Sequence, residues 1–121
     1  MSKIIKIAVD AMGGDNSPKK IIDGINHHYK SNANTFYQIF GDKEKIQNYI
    51  NDQLPSSSFE IIHTKDVVRG TDSPLEGAKR GKNTSMWLAI QSVKEKKSDI
   101  VISAGNTGAL LVISKLNLKM I

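Results

Sequence analysis

The 121-residue chain contains no cysteine. That excludes disulfides, a thiolate nucleophile and thiolate metal ligands. Aromatic residues make up 6% of it. With few aromatics beside the basic residues and no recognised binding module, nucleic acid is not an expected partner. No apolar run approaches the ~20 residues that span a bilayer. The opening "MSKIIKIAVD" reaches Asp10 too early for a signal peptide. A cytosolic protein is expected.

What is present fits a globular chain of one domain at most, with a modest core: 39% hydrophobic and 24% charged residues. The formal charge is +5, with small clusters at Lys19-Lys20, Lys79-Arg80-Lys82 and Lys94-Lys96-Lys97. These read as a solvated basic surface, or as an attraction for phosphate, acidic proteins or an anionic membrane face.

Apolar patterning predicts strands at 4–9, 36–40, 59–63 and 100–103. Between them lie helical stripes. Ile21, Ile22, Ile25 and Tyr29 follow Ser17 as a cap with Pro18 at the first helical position. Ile46, Tyr49, Ile50 and Leu54 follow Gly41-Asp42. Met86, Ala89, Ile90 and Val93 follow Thr84 or Ser85 as a cap. A fourth helix is predicted from Thr107 or Gly108. Strand–helix alternation without hairpin signals predicts an α/β fold, a parallel sheet with helices on both faces. The polar stretch 64–83 is long for a loop in a compact domain, and such loops are often functional. The chain stops at "KLNLKMI" without a terminal loop, as if cut short.

In such a sheet ligands bind beyond the carboxyl ends of the strands. Three loops leave that edge: "AMGGDNSP" after the first strand, "GD" after the second and "SAGNTGA" after the fourth. Gly105 and Gly108 allow a tight turn and close approach to a ligand. Amides opening the next helix would face an anion, with Ser103, Asn106 and Thr107 adding hydrogen bonds. The same residues read equally as a plain β-to-α turn with a Thr cap. "GNTG" matches neither the dinucleotide nor the phosphate-loop fingerprint, so hydride transfer is not supported. Asp10 and Asp15 read as metal ligands, as an acid–base pair, or as residues that orient loop amides. Lys82 reads as an anion holder or as a solvated lysine. His27 and His28 read as surface residues, and His63 as structural.

Taken in order, "IAVDAMGGDNSP", "GD" at 41–42, "GKNTSM" at 81–86 and "VISAGNTGALLV" resemble the phosphate acyltransferase family of bacterial phospholipid synthesis. The resemblance covers essentially all 121 residues but only the N-terminal part of the longer family chains. It implies a three-layer αβα Rossmann-like sheet, related to the phosphotransacetylase and isopropylmalate dehydrogenase architecture and incomplete at its C-terminus. The implied reaction converts fatty acyl–acyl carrier protein and inorganic phosphate to acyl phosphate and free carrier protein. It also implies a homodimer, peripheral membrane association and association with a glycerol-3-phosphate acyltransferase. No metal and no cofactor are expected.

Phosphate is the nucleophile in that reaction, so no enzyme cysteine is required. The protein must hold phosphate near the thioester carbonyl and donate hydrogen bonds to the developing oxyanion. On this resemblance Asn106 and Thr107 are the catalytic candidates. Gly105, Gly108 and Ser103 surround phosphate or the acyl carbonyl, with Asp10, Gly13, Gly14 and Asp15 as the adjacent wall. Lys82 attracts phosphate or the acidic carrier protein. The competing expectation is an inactive remnant that at most binds an anion or a partner.

Overall fold

The computed structural model describes residues 3–14, 17–50, 54–67, 73, 75, 81 and 83–103. The apolar run at the start of the chain forms β1 (Ile5–Asp10), whose last four residues are buried. It is followed by α1 (Lys19–Ser31), β2 (Thr35–Gly41), the short helix α2 (Lys43–Gln47) and a 3₁₀ turn at Ser56–Ser58. β3 (Phe59–His63), α3 (Ser85–Lys94) and β4 (Ile100–Ser103) complete the described elements.

The four strands form one parallel sheet in the order β3-β2-β1-β4. From β1 the chain adds β2 and then β3 on one side, and then returns to place β4 on the other side of β1. The direction of winding therefore reverses at β1, and in open α/β sheets the ligand crevice lies beyond the strand ends at such a point.

Alternation along β1 divides the core into two layers. Ile7, Val9 and Ala11 join Ile22 and Ile25 of α1, Tyr37 and Ile39 of β2 and Ile46 of α2. Ala8 and Phe40 point to the opposite face and pack with Ala89 of α3, flanked by Leu88, Val93 and Val101. Each fully buried valine or isoleucine side chain here contributes about 1.5–3 kcal/mol, and each alanine less. The expected three-layer α/β arrangement is the one observed.

Polar ties fix the helices at the far end of the sheet. Gln38 Oε1 accepts from the hydroxyls of Ser92 and Ser98, and its Nε2 donates to Glu60 at 2.8 Å. Asn26 of α1 donates to the Tyr49 carbonyl just after α2 at 3.3 Å.

Three local expectations need correction. Ser17 does not cap α1: the cap position is Pro18, and the Ser17 hydroxyl instead accepts from the Gly14 amide at 3.0 Å. A serine that close to a glycine turn has a competing local donor, and that donor wins. α2 is only five residues long, although Ile46 and Leu54 are buried as expected. Tyr49, placed on the same face by helical spacing, is 39% exposed because the helix has ended before it. The helix predicted from Thr107 or Gly108 lies outside the described residues.

Candidate active site

Asp10 is the last residue of β1 and is 1% exposed. β1 lies between β2 and β4, so Asp10 is in register with Phe40 on one side and Ser103 on the other. Burying a carboxylate there is costly unless it is hydrogen-bonded. Three donors meet it. Ser85 Oγ donates to Oδ1 at 2.6 Å, the Met12 amide donates to the same oxygen at 3.1 Å, and Ser103 Oγ donates to Oδ2 at 2.7 Å. Burial pushes the carboxyl pKa above its ordinary value, and the bonds from Ser85, Ser103 and Met12 oppose that shift without cancelling it.

The turn after β1 is shaped for this arrangement. Gly13 has φ 92°, a conformation that strongly favours glycine. The Gly14 carbonyl accepts from the Ser17 amide at 3.2 Å, so Gly14 and Ser17 close the turn reciprocally. Met12 itself is buried because β2 ends in glycine. A Cβ on Gly41 would stand 2.7 Å from Met12 Cγ and 3.0 Å from Ile46 Cδ1. The missing side chain at Gly41 thus makes the space that lets Met12 sit down and present its amide to Asp10.

The 64–84 connection begins and ends at the same edge. The Thr64 amide donates to the Gly41 carbonyl at 2.9 Å and its hydroxyl to the Asn83 carbonyl at 2.6 Å. The Ser85 amide donates to the Asp66 carbonyl at 2.9 Å. Thr84 then caps α3, its hydroxyl accepting from the Trp87 amide at 3.2 Å.

Of the residues singled out in the sequence, Asp10, Gly13, Gly14 and Ser103 come together at the carboxyl edge. Asp15, Lys82, Gly105, Asn106, Thr107 and Gly108 lie outside the described residues. Asp10 holds a loop amide in place, one of the roles read for it. Asp42 and His63 serve α2: Asp42 accepts from the Lys45 amide at 3.4 Å, and His63 Nδ1 accepts from the Lys43 amide at 3.1 Å. His27 and His28 are exposed. The sequence offers Ser85 as a cap for this helix, or as a neighbour of Lys82 at an anion-holding helix start; nothing in it points to Asp10, 75 residues away.

Among the described residues no group of three or more His, Cys, Asp or Glu is placed to hold a metal ion. None of the described helices is long and apolar enough to cross a membrane. Chemically, two serine hydroxyls and a loop amide are held by one buried carboxylate, at the point where the sheet reverses its winding.

Known proteins share this sequence. The chain is 96% identical over 121 residues to the phosphate acyltransferase of Pelagibacter ubique (strain HTCC1062), covering 100% of this chain and 36% of that protein. It is 44% identical over 108 residues to the phosphate acyltransferase of Streptococcus pyogenes serotype M5 (strain Manfredo), covering 89% of this chain and 31% of that one. The chain therefore spans about a third of the length of these curated relatives. A family profile described as "Fatty acid synthesis protein" matches residues 5–121. By that match over nearly its whole length, the chain belongs to the fatty acid synthesis protein family.

Proposed function

We propose that this chain forms the β1–β4 crevice of a phosphate acyltransferase, which moves a fatty acyl group from the thioester of an acyl carrier protein to inorganic phosphate. The observation that carries the reading is the meeting of Asp10 and Ser103 at the switch point, beside the Gly13-Gly14 turn. The names of the relatives support the acyltransferase class.

In this reading a phosphate oxygen attacks the thioester carbonyl, the oxyanion collapses, and the carrier's thiolate leaves. The products are acyl phosphate and free carrier protein. No covalent acyl-enzyme is needed, in keeping with a chain that has no cysteine. The protein's task is to position the reactants and to donate hydrogen bonds as charge develops. Asp10 serves it indirectly, by fixing the Ser103 hydroxyl and the Met12 amide. Gly105, Asn106, Thr107 and Gly108 follow Ser103-Ala104 in sequence and would supply the donors to phosphate and carbonyl. In this reading Lys82 and Asp15 belong to the binding set, with the net positive charge attracting phosphate and an acidic carrier.

The test is an assay on the full-length protein that carries this N-terminal sequence. Purified protein, fatty acyl carrier protein and inorganic phosphate should yield acyl phosphate, trapped with hydroxylamine, and an equal amount of free carrier. Carrier release that does not depend on phosphate, or no release, would contradict the proposal.

A further inference from the structure

The hydrogen bond between Ser85 and Asp10 joins two parts of the molecule that no sequence pattern connects. Ser85 is fully buried at the first turn of α3. Its hydroxyl donates to Asp10 Oδ1 at 2.6 Å, a short bond to a buried carboxylate. Its amide donates to the Asp66 carbonyl at 2.9 Å, where the 64–84 connection leaves the sheet. One residue therefore holds both the end of β1 and the neck of that connection. Asp10 in turn holds Ser103, at the end of β4, through its other oxygen.

We infer that Ser85 is a positioning residue for the β1–β4 crevice, acting through Asp10 to fix the Met12 amide and the Ser103 hydroxyl in a single arrangement. The inference rests on the phosphate acyltransferase reading for its consequence in turnover, but not for the linkage itself.

The geometry leaves little freedom for any other arrangement. Oδ1 has two described donors, the Ser85 hydroxyl and the Met12 amide, and only the first is a side chain. Without the hydroxyl, a buried carboxylate oxygen keeps one bond at 3.1 Å. Hydrogen bonds to charged groups are among the stronger ones, and an under-bonded buried charge shifts its proton equilibrium or its position. Either response disturbs the bond from Ser103, because both serines donate to the same carboxyl group. Among the described residues, the groups set around Asp10 are Phe40 on β2, Ser103 on β4, Ser85 on α3 and the Met12 amide, none of which ionises near neutral pH. Asp66 enters through its carbonyl. Asp15 and Lys82 lie outside the described residues.

The experiment uses the full-length protein with two substitutions, Ser85→Ala and Ser85→Cys. The second keeps the volume and a weak donor. Asp10 is titrated by carboxyl-selective carbon NMR, and acyl phosphate formation is followed over phosphate concentration and pH. In Ser85→Ala the Asp10 pKa should rise further, because a hydrogen bond that favours the charged form is lost, with a smaller rise in Ser85→Cys. The kcat should fall at least tenfold in Ser85→Ala with KM for phosphate changed less, and its acid limb should move up with the Asp10 titration. An Asp10 titration unmoved in both variants would overturn the inference, as would turnover within twofold of wild type in Ser85→Ala. If Ser85→Ala does not fold, the Asp10 titration in Ser85→Cys decides. If the wild-type protein makes no acyl phosphate, the acyltransferase reading fails, while the Asp10 titrations still decide whether Ser85 sets that carboxyl.

Discussion

Ser103 and Asp10 lie 93 residues apart in the chain, yet Ser103 Oγ donates to Asp10 Oδ2 at 2.7 Å across neighbouring strand ends. The sheet order makes this possible. β4 pairs with β1, and the register sets Ser103 directly beside Asp10. With Ser85 on the other carboxylate oxygen, three elements depend on one buried acid.

The first prediction follows from what would be left behind without that acid. Asp10→Ala takes the acceptor from the buried Ser85 hydroxyl and the Met12 amide, each costing about 1–3 kcal/mol, and removes the bond from the half-buried Ser103 hydroxyl. The expected loss in urea unfolding of the full-length protein is about 3 kcal/mol or more, a large share of the ~5–15 kcal/mol typical of a domain. Asp10→Asn, which keeps one accepting oxygen and the shape, should cost clearly less. Equal costs would mean that the bonds to the carboxylate do not matter.

The second concerns pH. Burial holds the folded pKa of Asp10 above its ordinary value of 3.8, so in the range between the two the folded chain binds more protons than the unfolded one. Stability then falls as pH rises. The contribution is fully present below the ordinary value and is lost as pH rises through the raised one. Unfolding free energies of wild type and Asp10→Asn, measured from acid toward neutral pH, should show the wild-type advantage shrinking with rising pH. An advantage that grows over that range contradicts the assignment of burial as the dominant cause.

Gly41 gives a third. Gly41→Ala puts a Cβ into Met12, at 2.7 Å from its Cγ, and should cost about 1–3 kcal/mol as an overpacked site does. In a Met12→Ala background the same change should cost less, because the group it strikes is gone. A double-mutant cycle in urea measures the coupling. Strict additivity would show that Gly41 is not there to make room for Met12.

These sites differ in how far they could be read beforehand. β3 and β4 follow their apolar runs because each run is bounded by polar residues, and the strands occur at 59–63 and 100–103 as expected. The two-faced core follows from β1 being apolar at Ile7, Ala8 and Val9, the three consecutive positions before Asp10. Asp10 could be read as an orienter of loop amides, because a short acid before small residues has few other local options. Ser85 could not. A serine at a helix start looks like a cap, and only the winding of β4 and α3 around β1 brings it to Asp10. Ser17 misled for the opposite reason, since a nearer donor, the Gly14 amide, captured its hydroxyl. Residues 105–108, the loop on which the sequence placed most of the chemistry, lie outside the described structure.

Thr84 supports a fourth prediction. Its hydroxyl accepts from the Trp87 amide and donates to the Gly81 carbonyl at 3.3 Å, so it both caps α3 and closes the end of the 64–84 connection. Thr84→Ala should cost about 0.5–2 kcal/mol, and Thr84→Ser should recover most of it. A serine variant as unstable as the alanine one would locate the effect in the buried methyl group instead.

The most direct test of the account is the phosphate dependence of acyl phosphate formation by the full-length protein, compared between wild type and Ser103→Ala. Ser103 is the described residue that both touches Asp10 and is followed in sequence by residues 104–109. The account predicts that Ser103→Ala keeps its fold by circular dichroism but loses at least tenfold in kcat/KM for phosphate, about 1.4 kcal/mol of transition-state stabilisation. A folded Ser103→Ala protein with kcat/KM for phosphate within twofold of wild type would contradict it, and would move the chemistry away from the β1–β4 crevice.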